Sequence, residues 1–204
     1  MQDERRPDET NKKSRSWHAF VDSFCHLALV KPFDKIRVRE ICESAEYSNM
    51  AFYSNFNNKD DLARSVVEDA ADQHVQFVLA YAAQLPTGED IGVRSLMFDF
   101  VLQFIEYVRC HSVQYEVILK RNIVDNPTGC YTDRYVSQLD NQIYITQSGS
   151  ETSYYSPFRQ TMGIMLLLST IAYWMGRDDK PSPADFANSY CDLFFAQQQN
   201  EFAK

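Results

Sequence analysis

The sequence predicts an all-α fold, and three observations carry that expectation. Apolar residues recur at helical rather than alternating spacing through most of the chain. Helix-start signatures stand ahead of several of these stretches, at Ser48, Asn58 and Ser182-Pro183-Ala184-Asp185. Strand signals are weak, with Tyr144-Ile145-Thr146 alone tempting one.

Residues 1–14 are polar and charged and contain Pro7, which predicts a disordered arm. A first helix is expected over 15–30, with Trp17, Phe20, Val21, Phe24 and Ala28 on its inner face. Lys31-Pro32-Phe33-Asp34 reads as a turn. Val38, Ile41, Cys42 and Ala45 mark the buried face of a short second helix, and Ser48 caps a third. In that third helix Phe52 and Phe56, four apart, face the core, while Tyr53 is one position off and points its hydroxyl outward. Asn58 caps a long helix running from about 59 to 84, with Asp60 and Asp61 in the first turn, where the helix dipole favours negative charge. Leu85-Pro86-Thr87-Gly88 breaks it. Further helices are expected at 90–110, 112–125, 132–147, 157–176 and 183–202, with a polar loop from Gly149 to Pro157.

Two short helices joined by a tight turn, followed by a third helix start, are the layout of a helix-turn-helix, whose second helix is shaped for the DNA major groove. Asn49, Met50, Ala51, Ser54 and Asn55 form the exposed face of that helix. The face has no acidic residue on a chain of net charge −8, which points to a surface that approaches phosphate.

From Ile36 to Leu62 the chain resembles the DNA-binding domain of TetR-type regulators, whose pattern is roughly Ile-Thr-Val-x-x-Ile-Ala-x-x-Ala-Gly-Val-Ser-x-Gly-Thr-Phe-Tyr-x-His-Phe-x-x-Lys-x-x-Leu. Ile36, Val38, Ile41, Ala45, Ser48, Phe52, Tyr53, Phe56, Lys59 and Leu62 fall at matching positions without a gap. Glu46 replaces the usual turn glycine, Met50 a common glycine, Ala51 a common threonine and Asn55 a frequent histidine, and Arg37 stands where an N-cap threonine is typical.

The resemblance implies an N-terminal three-helix DNA-binding domain over 15–62 and a C-terminal helical ligand-binding and dimerisation domain over 63–204. It implies contacts to DNA from Arg37, Arg39, Ser48, Asn49, Met50, Ala51, Tyr53, Ser54, Asn55 and Lys59. Among these, Asn49 suits the N6 and N7 edge of adenine and Arg39 the O6 and N7 edge of guanine; Tyr53 and Lys59 match phosphate contacts. The tail, from Gly163 through Trp174 to Pro183, is similar to regulators whose last two helices form a dimer interface. Ile164, Leu167, Leu168, Ile171, Trp174, Phe194 and Phe195 are expected to supply its apolar surface.

The stripe Phe98, Phe100, Phe104, Tyr107 and Tyr115 reads as core by spacing; the resemblance adds a small-molecule effector site there. Phe100, Phe104, Tyr107 and Tyr115 are its expected lining, with Tyr144 and Tyr173 as closers, and its ligand is expected to be apolar or aromatic with few charges.

Composition agrees with a globular DNA reader. From Lys12 to Lys59 there are eight Lys/Arg against five Asp/Glu, a local excess of three positive charges, so the acidity belongs to the remainder of the chain. Five scattered cysteines without a CxxC pattern predict reduced thiols and a cytoplasmic protein. No apolar signal segment is read at the N-terminus, and Met162 to Met175 is too short for a membrane span. Cys110-His111 with Glu116 does not make a metal site, because adjacent side chains on a helix diverge; His18 and His26 read as packing or surface. No nucleophile with its base, phosphate loop or cofactor motif is present, so neither an enzyme nor a cofactor is expected. The expected function is a homodimeric, ligand-responsive repressor of a palindromic double-stranded operator. The alternative is a co-activator of the same fold that binds a protein partner.

Overall fold

Ser14 opens the first helix by accepting the Trp17 N–H on its hydroxyl at 3.1 Å. In the computed structural model, which describes residues 13–84, 93–146 and 157–199, this helix, α1, spans Arg15–Val30. After a 3-10 turn at Phe33–Lys35 come α2 (Val38–Ala45), α3 (Asn49–Asn55), α4 (Lys59–Ala82), α5 (Val93–Cys110), α6 (Ser112–Lys120), α7 (Pro127–Thr146), α8 (Pro157–Met175) and α9 (Pro183–Gln199). Every regular element among the described residues is helical. Residues 1–12, the break at Leu85–Gly88 and the Gly149–Ser156 loop lie outside the described residues, as do the side chains of Tyr144 and Phe194.

Helices α1, α2 and α3 close on an aromatic nucleus. Phe20 meets Phe52 edge-on at 5.4 Å between ring centroids and Phe56 at 6.2 Å, and Phe24 meets Phe33 at 6.0 Å. Phe20, Phe24, Ile41 and Phe52 are fully buried, and each such side chain contributes roughly 1.5–3 kcal/mol through its removal from water. The long α4 then leaves this nucleus with Leu62, Ala63, Val66, Val67, Ala70, Ala71 and Val75 buried and packs along α7. Arg134 of α7 grips Asp72 of α4 with two parallel hydrogen bonds of 2.7 and 2.8 Å.

Helix α5 packs on α9, α8 on α7, and α6 bridges α1 to α8. Asp69 on α4 is buried and collects donors from three directions: Lys13 ahead of α1, Gln73 Nε2 at 2.6 Å, and Gln114 Nε2 of α6 at 3.4 Å. Gln73 in turn accepts the Tyr107 hydroxyl of α5 at 2.9 Å.

Two expectations are corrected. The helix foreseen over 112–125 stops at Lys120, and α7 begins at Pro127, not near 132. Asn122 and Asn126 adopt left-handed backbone with φ of 46° and 50°, a conformation short polar side chains tolerate. The Asn126 side chain accepts the Gly129 N–H at 3.1 Å, and Pro127 takes the first helical position.

The apolar stripe of α8 is also turned the other way. Ile164, Leu167, Leu168, Ile171 and Trp174 are buried within the chain itself, because this face packs on α6, α7 and the approach to α9. Trp174 is fixed by its indole N–H, which donates to the Pro181 carbonyl at 3.0 Å, and by the Phe186 ring. Among the described residues, the large apolar side chains that face outward here are Met165, Tyr173 and Leu193.

Candidate nucleic-acid interface

The turn between α2 and α3 sets the pose of the outward face. Glu46 sits in left-handed backbone at φ 58°, ψ 33°. The Tyr47 N–H reaches back to the Cys42 carbonyl at 3.1 Å and the Glu46 N–H to the Glu43 carbonyl at 3.4 Å. This is a Schellman closure, normally built on glycine. Tyr47 then lays its ring against Phe20 at 5.5 Å. Ser48 caps α3 by accepting the Ala51 N–H at 3.2 Å, and Phe52 enters the core, which turns Asn49, Met50, Tyr53 and Ser54 outward. Met50 is 81% exposed and Tyr53 60%.

Ala51 and Asn55 lie to one side of that face and are half-buried. Asn55 donates to Ser16 Oγ at 3.1 Å and to the Ala51 carbonyl at 2.7 Å, and accepts the Ser14 hydroxyl at 3.0 Å. Its polar atoms thus fasten α3 to the start of α1. Ser54 donates to the Met50 carbonyl at 2.9 Å.

The cations flank this face. Arg37 occupies the N-cap of α2, its backbone N–H donating to Glu40 Oε2 at 3.0 Å, with its guanidinium exposed. Glu40 also accepts Lys31 Nζ at 2.7 Å, which holds its carboxyl below the usual range. Arg39 is exposed and paired with Glu43 at 2.7 Å; that hydrogen bond raises its already high pKa. Lys59 donates to the Phe33 and Ile36 carbonyls at 2.7 and 3.0 Å and covers the Phe33 ring at 4.2 Å. It closes the turn that leads into α2.

In the expected effector region Phe104 and Tyr115 are buried and Phe100 and Tyr107 half-buried. Their rings stack in series: Phe100 on Phe104 at 6.1 Å, Phe104 on Tyr107 at 5.9 Å. The structure adds His74, Phe77, Tyr131 and Tyr135, which sequence reasoning did not include; His74 and Phe77 share the α4 spacing that points toward α5. Tyr173 is not among them. It is 65% exposed on α8, where its hydroxyl accepts Arg177 Nη1 at 2.6 Å. Among the described residues no group of three or more His, Cys, Asp or Glu is placed to hold a metal, and no helix is long and apolar enough to cross a membrane.

No family model matches the chain. Over 88 residues, 43% of its length, it is 28% identical to an uncharacterized helix-turn-helix-type transcriptional regulator of Bacillus subtilis, YwcC, of which the match spans 38%. The structure superposes on a TetR-family transcriptional regulator from Streptomyces coelicolor with a TM-score of 0.62, at 16% identity over 92% of this chain and 84% of the other. It superposes on the Bacillus subtilis regulator FadR, solved with stearoyl-CoA, with a TM-score of 0.58, at 13% identity over 87% of this chain and 96% of that one. The fold is that of TetR-family regulators.

Proposed function

We propose that this chain is a DNA-binding transcriptional regulator of the TetR type, a homodimeric repressor released by a small-molecule effector. Residues 15–62 form its DNA-binding unit and 63–204 its regulatory and dimerisation unit. The observation that carries the reading is the outward face of α3: Asn49, Met50, Tyr53 and Ser54 are exposed without an acid among them, on a helix fixed by the Ser48 cap and the Asn55 ties. Such a face enters a major groove with Asn49 at its N-terminal end, where recognition helices meet base edges.

Dimerisation is assigned to the outward sides of α8 and α9. Tyr173 and Leu193 line an apolar groove there of about 260 Å³ together with Thr170, Phe186 and Tyr190, and Met165 is exposed elsewhere on α8. The effector acts through the stacked rings of α4 and α5. FadR binds stearoyl-CoA, and an apolar effector fits the rings gathered here. A ligand that favours one arrangement of this core shifts the spacing of the two reading helices and so releases the operator.

Selection of duplexes from a random pool, followed by footprinting, tests the reading: a palindromic site whose protection is lost in Asn49→Ala supports it, and no selected site defeats it. The 81% exposed Met50 favours a second reading, a co-activator that docks its α3 face on a protein. Retention on random duplex at low salt, lost as salt rises, selects the DNA reader instead.

A further inference from the structure

A chain of polar atoms is sealed between α4, α6 and α7. His74 is 1% exposed, and its Nδ1 lies 3.0 Å from Tyr131 Oη. Tyr131 Oη lies 3.1 Å from Tyr115 Oη and 3.4 Å from the Ala70 carbonyl. His74 Nε2, equally buried, has no hydrogen-bond partner among the described residues. A buried polar atom left unpaired is uncommon in a native core and asks for a reason.

Counting protons fixes what Nε2 offers. The Ala70 carbonyl only accepts, so the Tyr131 O–H donates to it. The Tyr131 oxygen then accepts both the Tyr115 O–H and the His74 Nδ1–H, and all three groups are satisfied at once. The opposite tautomer would bury an unpaired N–H, a rarer condition than an unpaired acceptor. Burial pushes the His74 pKa down to about 3, so the ring is neutral and Nε2 carries a lone pair. Its walls are aromatic: Phe104 stacks at 3.9 Å, Tyr135 tilts at 4.7 Å, and Phe77 and Phe100 flank it at 6.5 Å. Phe77 and Phe100 are half-buried and join this cluster to the surface.

The geometry points to His74 Nε2 as the anchor of an effector site for an uncharged, largely apolar molecule bearing one hydrogen-bond donor, a hydroxyl or an amide N–H. The inference rests on the effector reading above and gives it a chemical class. A carboxylate is disfavoured, because it would set its own lone pairs against that of Nε2 with no cation among the surrounding rings. An ether of the same shape is disfavoured because it leaves Nε2 unpaired. Discrimination by a buried hydrogen-bonding group is strong for this reason.

The test uses the full chain with 2-naphthol, its donor-less analogue 2-methoxynaphthalene, and 2-naphthoate, followed by calorimetry. The wild type should bind 2-naphthol about tenfold or more tighter than either analogue. His74→Phe, which keeps an aromatic ring and removes Nε2, should bring 2-naphthol down to the affinity of the ether. Nitrogen-15 spectra of labelled wild-type histidine should show a pyridine-type Nε2 that moves on adding 2-naphthol and not on adding the ether; this arm needs no variant to fold. Equal affinities in the wild type, a protonated Nε2, preference retained in His74→Phe, or no binding of any probe overturns the anchor. Operator release measured on the same samples separates the two claims. Release by a probe irrespective of His74 leaves the effector reading standing without this anchor, whereas absence of operator binding by the free protein sinks that reading instead.

Discussion

His74 and Phe104 lie ring on ring, centroids 3.9 Å apart and planes 17° apart, at the centre of the packing between α4 and α5. The stack buries the imidazole completely and makes its protonation the chief acid-side cost of folding in this region.

The sign of that cost is definite. Unfolded, the imidazole titrates near 6.5; folded, burial lowers it to about 3. Between these values the unfolded state binds the extra proton, so stability is full above pH 6.5 and falls as pH drops toward 3, by about 1.4 kcal/mol per pH unit. Urea unfolding at pH 4.5, 5.5 and 7 should show this slope in the wild type and a clearly shallower one in His74→Phe.

Phe104 is fully buried amid His74, Phe77, Phe100 and Tyr107. With an effector site beside this ring, Phe104→Trp is expected to leave stability near wild type and to block operator release by the effector, whereas a loss of roughly 1–3 kcal/mol by overpacking would show a filled nucleus and defeat the effector reading. Melting curves paired with operator release in the presence of a probe distinguish the two outcomes.

Asn49→Ala should cost about 1–3 kcal/mol of operator affinity and relax one base preference, with thermal stability unchanged because the side chain is exposed. Lys59→Ala should weaken all duplexes alike and also lower stability by roughly 1–3 kcal/mol, since two backbone carbonyls lose a charged donor. Gel-shift titrations paired with melting curves distinguish the two behaviours.

Glu46→Gly should stabilise the fold by about 1 kcal/mol, because the left-handed backbone at φ 58° carries a steric cost for any side chain. It should tighten duplex binding as well, through loss of one negative charge beside α3. Glu46→Ala keeps the steric cost while removing the charge, so the pair resolves the two contributions.

Met165→Glu combined with Leu193→Glu places charges on the outward sides of α8 and α9, where these residues are 40% and 48% exposed. Sedimentation should show a monomer with intact helical content and weakened operator binding. A dimer of undiminished affinity would relocate the interface.

The N-terminal helices were legible because their constraints are local. Ser48 and Asn58 cap through their own side chains, and Phe52 and Phe56 face inward by spacing alone. The inward direction of Ile164, Leu167, Leu168 and Ile171 was not legible, since an apolar helical stripe looks the same whether a neighbouring helix or a second subunit covers it. The ties of Asn55 to Ser14 and Ser16, and of Lys59 to Phe33 and Ile36, span 23 to 41 residues and leave no periodic trace. His74 stands in no recognisable motif, and only the fold brings Tyr131 to it from 57 residues away. The start of α7 is marked locally by Asn126-Pro127, a capping side chain followed by proline at the first helical position.

Asp69 joins α4, α6 and the residue ahead of α1 at one buried carboxylate. Its buried carboxylate cannot let go of Lys13, Gln73 or Gln114 without stranding charge away from water. Tyr107 of α5 donates to Gln73, Gln73 to Asp69, and Lys13, the residue just ahead of the Ser14 cap, to the same carboxylate. Ser14 also holds Asn55, the last residue of α3. One run of polar contacts thus joins the stacked rings to the far end of the outward helix.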